Sequence, residues 1–341
     1  MRRSAFAVAA LLFVAPAAAQ DVVTAAVAPI TVDAINTADL TMIPAQYTPP
    51  PTNDATGAPL PELQPDPAVV RLQVLLDRAG ASPGVIDGFD GDNVRKAVIA
   101  FELMQGLPAD GMLDPDVLAA LETGEPVIGE YQIMPPDLEA IGPPIPTDYA
   151  EQATREFLGY TSIEEELGER FHMDPDLLAA LNPGAGYAAG DHVYVATYGP
   201  DRTGEVVRIE ADKSLRQVRA YDATGALLVA YPATIGSEDN PSPSGTHVVE
   251  GVAPMPTYTY NPKVNFQQGD NTTVLTIPSG PNGPVGSMWI DLSEPTFGIH
   301  GTPEPSKIDK TGSHGCVRLT NWDANELAKM VKPGVPVDFV G

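Results

Sequence analysis

Proline divides this chain more sharply than any other residue. Its ring fixes φ and removes a backbone donor, so a cluster of prolines interrupts both a helix and a central strand. One cluster holds Pro44, Pro49-Pro50-Pro51, Pro59, Pro61 and Pro65. A second holds Pro126, Pro135-Pro136, Pro143-Pro144 and Pro146. Proline supplies 36 of 341 residues, about twice the usual share. The first cluster lacks a clear apolar period. Residues 20–65 are therefore expected to be an extended, largely disordered tether, and residues 123–156 a semi-rigid linker. That leaves three segments able to bury a core: 66–122, 157–200 and 203–340.

The first residues form a separate case. Arg2-Arg3, the apolar run Ala5 to Val14 and the small residues Ala17-Ala18-Ala19 read as a secretory signal over 1–19, cleaved before Gln20. The run is too short for a transmembrane helix, and no other stretch approaches one. The chain is thus expected to be exported, to the periplasm or cell wall. It carries 45 Asp+Glu against 19 Lys+Arg, a net charge of −26. Such a surface argues against nucleic acid and anionic membranes as partners.

Segment 66–122 reads as three helices. Val69, Val70, Leu72, Leu75 and Leu76 give one apolar face; Val94, Ala97, Val98 and Phe101 give a second, with Asp92 as its expected cap; Asp114-Pro115 starts a third. Asp87, Asp90 and Asp92 lack the spacing, glycine and final glutamate of a calcium loop. In 157–200, Ser162 and Glu165 predict a capping box for a helix over Ile163 to Phe171. Asp174-Pro175 opens a second helix, Asn182-Pro183-Gly184 stops it, and a strand follows over His192 to Ala196. From about residue 204 the pattern is strands, with a hairpin turn at Asp222 to Gly225. Helical periodicity returns only at Ala324 to Val331, where Asp323 and Glu326 are expected to frame the cap.

The chemistry concentrates near the C-terminus. Cys316 is the only cysteine, within Ser313-His314-Gly315-Cys316-Val317-Arg318; upstream stands His300-Gly301-Thr302. A thiol with two nearby histidines suits a cysteine nucleophile. An unpaired cysteine in an oxidising compartment is also consistent with a free reactive thiol. A buried structural cysteine is the plain alternative, but polar and flexible neighbours do not suit a core strand. A zinc site on His300, His314 and Cys316 would lack the paired ligand spacing of structural zinc. An activated thiol is expected to be labelled at lower pH than a structural one.

These two strings resemble the catalytic domain of the L,D-transpeptidases, the YkuD or ErfK family. Pro243-Ser244-Gly245-Thr246 and the Pro278 to Gly286 loop extend the resemblance, placing the domain at about 203–340. The resemblance implies a mainly-β open barrel with Cys316 as nucleophile, His300 as base and the Gly301 carbonyl orienting the imidazole. Ser313, His314, Gly315 and Arg318 would form the substrate and oxyanion side. His314 either donates a hydrogen bond or packs there, and Arg318 either clamps a stem-peptide carboxylate or forms a surface salt bridge. The implied reaction expels D-alanine from a peptidoglycan stem through a Cys316 thioester, needs no metal or organic cofactor, and is open to carbapenem acylation. The acceptor would be a stem amine, an envelope-protein amine or water. The competing reading is a wall-binding scaffold without chemistry.

Leu72-Gln73, Gly84, Asp87-Gly88, Phe101 and Asp110-Gly111 resemble the three-helix type 1 peptidoglycan-binding domain. Leu167, Arg170-Phe171, Leu181-Asn182-Pro183 and Gly190 to Val195 resemble a LysM module, a small α+β unit. Both would bring peptidoglycan stems and glycan to the enzyme. A fragment of residues 201–341 is expected to keep the chemistry.

Overall fold

A computed structural model describes residues 30–44, 47–48, 63–237, 239–264 and 266–341. The leader read over 1–19 lies outside the described residues. The first helix, α1 (Val32–Asn36), already departs from the expected tether. Ile35, Leu40 and Ile43 are buried, and the Asn36 Oδ1 accepts from the amides of Val127 and Ile128 at 2.9 Å each. No proline falls between Thr31 and Ile43, and three large apolar side chains are enough to dock this stretch on the neighbouring helices.

The first unit holds α2 (Pro67–Arg78), α3 (Asp92–Gln105) and α4 (Pro115–Leu121). Asp114 caps α4 by accepting from Asp116 and Val117. The cap of α3 is Gly91, which makes no side-chain cap bond; Asp92 lies in the first turn, where its charge meets the positive end of the helix dipole. Gln73 is almost fully buried. Its carbonyl accepts from Asp87 and Gly88, and its amide donates to Asp87 Oδ1 at 2.8 Å. One glutamine thus pins the Asp87-Gly88 turn to α2.

The second unit begins inside the expected linker. Strand β1 (Ile128–Gln132) precedes helices α5 (Pro135–Glu139), α6 (Tyr149–Gln152), α7 (Ile163–Arg170) and α8 (Pro175–Leu181), then strand β2 (His192–Ala196). β1 and β2 pair antiparallel from Ile128↔Ala196 to Gln132↔His192. The segment Ile-Gly-Glu-Tyr-Gln has one aliphatic residue, so its sequence carries little strand signal. Ser162 caps α7 through the Glu165 amide, while the Glu165 carboxylate accepts from Thr161, one residue earlier than a capping box requires.

The third unit is a nine-stranded mixed sheet. Its strands are β3 (Arg208–Asp212), β4 (Gln217–Tyr221), β5 (Leu227–Pro232), β6 (Thr234–Ile235), β7 (Gly245–Pro254), β10 (Met288–Leu292), β11 (Gly298–His300), β12 (Val317–Arg318) and β13 (Pro336–Val340). β8 (Tyr258–Tyr260) and β9 (Leu275–Ile277) form a separate hairpin. The order is β5-β4-β3-β13-β7-β10-β11-β12-β6. The two edge strands, β5 and β6, are separated by Ala233 alone, so the sheet must curl until its edges meet. That is the open barrel expected from sequence. Helix α9 (Asn321–Met330) packs on β10 and β11. Thr320 is its cap, its side chain accepting from the Asp323 amide; Asp323 sits inside the first turn, not ahead of it.

The units interlock. Ser82 donates to the Ala230 carbonyl of β5, and the Ala230 amide donates to Gly80, both at 2.9 Å. His172 stacks between Tyr198 and Trp322, with ring centroids 4.1 and 5.1 Å away. Its Nδ1 lies 2.8 Å from Asp77 Oδ2, so one imidazole touches all three units.

Candidate active site

Register assembles the site. In parallel β11 and β12, His300 pairs with Arg318; in antiparallel β10 and β11, His300 pairs with Trp289. Paired residues share a face, and alternate residues along a strand return to it. Trp289, His300, Arg318 and Cys316, two residues before Arg318, therefore belong to one side. Ile290, Ile299 and Val317 take the other side and are fully buried in the barrel core. Trp289 stacks on the imidazole of His300 at 5.5 Å.

His300 is 5% exposed, and its Nδ1 lies 2.6 Å from the Gly301 carbonyl. A carbonyl only accepts, so Nδ1 carries the hydrogen and Nε2 keeps a lone pair. Burial lowers the His300 pKa to about 4; the Arg318 charge pushes the same way, against the backbone carbonyls of Gly301 and Val285. Burial raises the Cys316 thiol above its ordinary value, opposed by a Gly298 backbone bond and by Arg318. Burial thus disfavours the charged form of both groups; the Cys316 Sγ lies 3.7 Å from the Thr296 carbonyl. Desolvation at Cys316 works against the early labelling expected of an activated thiol, and Arg318 works for it.

Ser313 is buried, donating to the Cys316 carbonyl at 2.7 Å and accepting from the Gly315 amide at 3.3 Å. It shapes the turn that presents the thiol. Gly315 has φ +109°, and a Cβ there would lie 2.7 Å from the Phe297 ring. His314 is exposed and stacks on Phe266 at 3.8 Å. Arg318 forms no ion pair among the described residues; Glu304 is its strongest electrostatic partner.

Cys316, His300, His314, Ser313 and Arg318 all line one groove of about 490 Å³. Among the described residues no cluster of three or more His, Cys, Asp or Glu is arranged to hold a metal. Tyr258 forms part of the wall. Tyr149 and Gln152, from the segment read as a linker, form another part. A fragment starting at 201 would lack both.

Asn321, the first residue of α9, braces the floor. Its Oδ1 accepts from Ser287 at 3.0 Å; its Nδ2 donates to the Glu169 carboxylate of α7 at 2.9 and 3.0 Å. A Cβ on Gly301 would lie 2.1 Å from Asn321 Oδ1, and one on Gly286 2.0 Å. Both glycines are required by that close approach. Sequence reasoning missed Tyr149, Gln152, Phe266, Trp289 and Asn321. Only Asp148, a good N-cap residue ahead of Tyr149, could have signalled a helix in the linker.

Comparison with known proteins matches this architecture. The model of the L,D-transpeptidase catalytic domain, YkuD, matches residues 206–338, and a peptidoglycan binding domain model matches residues 65–121. A Bacillus licheniformis protein named as an L,D-transpeptidase, YkuD, is 30% identical over 179 residues, which cover 51% of this chain and 92% of that protein. Its Bacillus subtilis namesake is 47% identical over 57 residues, 17% of this chain and 35% of that one. The Escherichia coli L,D-transpeptidase YbiS is 30% identical over 116 residues, 33% of this chain and 38% of that one. A crystal structure of L,D-transpeptidase 3 from Mycobacterium tuberculosis aligns at 16% identity and a TM-score of 0.33, over 45% of this chain and 76% of that one. The chain belongs to the YkuD family of L,D-transpeptidases. It carries a peptidoglycan-binding domain ahead of the catalytic barrel.

Proposed function

We propose that this chain is an exported peptidoglycan L,D-transpeptidase that works through a Cys316 thioester. The observation that carries the reading is the single groove holding Cys316 and a buried His300 whose Nδ1 is engaged by Gly301. Sγ attacks the carbonyl of the third stem residue while Nε2 of His300 takes the thiol proton. The C–N bond to the terminal D-alanine breaks, and that proton leaves on the D-alanine amine. An acceptor amine then attacks the thioester, gives its proton to His300, and Cys316 regains a thiol as the new amide forms. An amine on a second stem makes a 3→3 cross-link; an envelope-protein amine makes an anchor; water makes the enzyme a carboxypeptidase. Arg318 clamps a stem carboxylate, a role supported by its forming no ion pair among the described residues. Backbone amides near Cys316 stabilise the oxyanion.

The N-terminal domain binds the wall. The βααβ unit formed by β1, α7, α8 and β2 serves as a LysM-like glycan module. Export places the enzyme in the periplasm or cell wall.

The test is mass spectrometry of the purified full chain with a defined stem tetrapeptide and, separately, a carbapenem. Loss of D-alanine from the peptide and a carbapenem adduct absent from Cys316→Ala support the reading. A folded protein that does neither is a scaffold, and the transpeptidase reading fails.

A further inference from the structure

We infer that the segment joining the N-terminal units to the barrel is part of the donor-peptide site, with the Gln152 side-chain carbonyl accepting a peptide N–H of the stem. The inference rests on the transpeptidase reading for the identity of that peptide. Gln152 lines the catalytic groove and is 7% exposed. Its Nε2 donates to the Pro146 carbonyl at 2.7 Å, which fixes the amide orientation. Its Oε1 is buried and has no hydrogen-bond partner among the described residues. A buried acceptor left unmade costs free energy unless something fills it. An extended peptide crossing the groove offers amide donors of the right kind.

The segment is built into the site, not laid against it. Asp148 caps α6, and the Tyr149 amide donates to the Gln268 side chain at 3.2 Å. Gln268 in turn donates to the Thr147 carbonyl at 2.8 Å. The Tyr149 ring meets Tyr258, Tyr260 and Phe266 edge-on, with centroids 6.1, 5.3 and 6.1 Å away. Phe266 then stacks on His314, two residues before the nucleophile. Tyr149 is thus a positioning residue that fixes the β8–β9 hairpin beside Cys316. Further along, the Leu158 amide donates to Ser279 and the Leu158 carbonyl accepts from Asn282. A Cβ on Gly280 would lie 2.1 Å from that Leu158 carbonyl oxygen, so the groove-lining 278–287 loop is shaped against this segment.

The experiment uses the full chain and a stem tetrapeptide. Gln152→Met keeps the length and removes the acceptor. It should raise KM for D-alanine release about threefold to tenfold, the loss of one neutral hydrogen bond, with kcat and the rate of Cys316 alkylation by iodoacetamide unchanged. Tyr149→Ala should raise both KM and the alkylation rate, because the hairpin is freed; Tyr149→Phe, which keeps the ring contacts, should leave the alkylation rate at the parent's value. Calorimetry of the tetrapeptide with Cys316→Ala, with and without Gln152→Met, separates this inference from the proposed reaction. If the parent releases no D-alanine but Gln152→Met still weakens binding, the reaction is wrong and the site stands. Unchanged binding and KM in Gln152→Met overturn the inference.

Discussion

The acid limb of the pH–rate profile reads the buried imidazole directly. An ordinary histidine with a pKa near 6.5 would be about nine-tenths protonated at pH 5.5 and useless there as a base. With the His300 pKa at about 4, roughly 97% of the enzyme would still carry neutral imidazole at that pH. The displacement is about 2.5 units, or roughly 3 kcal/mol in favour of the neutral ring. The perturbation is pH, from 3 to 8, at saturating tetrapeptide in single turnover, with thioester formation followed by intact mass. The rate should stay within about twofold of its plateau at pH 5.5 and fall tenfold per unit only below about 4. Half-maximal rate near pH 6.5 would refute the buried environment of His300. Thermal stability is a poorer readout, because buried carboxylates, Glu169 and Glu166 among them, oppose His300. Unfolded His300 binds a proton between pH 6.5 and 4 that the folded ring refuses, so stability falls as pH drops through that window. Glu169, raised to about 8 chiefly by burial, does the reverse: the folded state holds its proton, and stability falls as pH rises from 4.5 through 8.

Cys316→Ala should leave the circular dichroism spectrum intact and abolish D-alanine release, and Cys316→Ser should be nearly as inactive because a hydroxyl is the poorer nucleophile; substantial release from either variant would show a different nucleophile. His300→Ala should cost about a hundredfold or more in kcat, whereas His314→Ala, at an exposed ring stacked on Phe266, should act mainly on KM; equal kcat losses would mean the base is misassigned. Gly280→Ala should destabilise the chain by about 1–3 kcal/mol in urea titration, because its Cβ would collide with the Leu158 backbone, and an unchanged midpoint would deny that contact. Residues 201–341 expressed alone should fold poorly or lose thioester formation, since Tyr149, Leu158 and Glu169 are gone; full activity in that fragment would show that the N-terminal segments only localise the enzyme.

The groove residues named from sequence were legible because they are local. His300, Gly301, Ser313 and Cys316 lie in two short strings, and one parallel strand pair brings the strings together. Hairpin turns, Pro-initiated helices and the Asp114 and Asp174 caps were legible for the same reason: each depends on neighbours three or four residues away. The misreadings share the opposite cause. The strand Ile128–Gln132 exists through its pairing with His192–Ala196, a partner about sixty residues on. Prolines that suggested a linker instead start α5, cap-adjacent and harmless at the first helical position. Asp92 and Asp323 looked like caps because acids are common both at N-cap and in the first turn. Only the backbone dihedrals of Gly91 and Thr320 separate the two.

The direction of the thiol's pKa was not legible either, and it bears on how the site works. Residue types alone suggest that a histidine near a cysteine makes a thiolate. That holds where the imidazolium is stabilised by solvent or a carboxylate. Here the imidazole faces Trp289 and a carbonyl, and the nearest strong charge is the cationic Arg318. Arg318 favours thiolate and disfavours imidazolium at once, so it lowers the cost of negative charge at sulfur without helping His300 to hold the proton. The proton should therefore leave the thiol as the carbonyl is attacked, and be passed quickly to the departing amine. A desolvated site of this kind also shields an unpaired cysteine, because burial disfavours its thiolate.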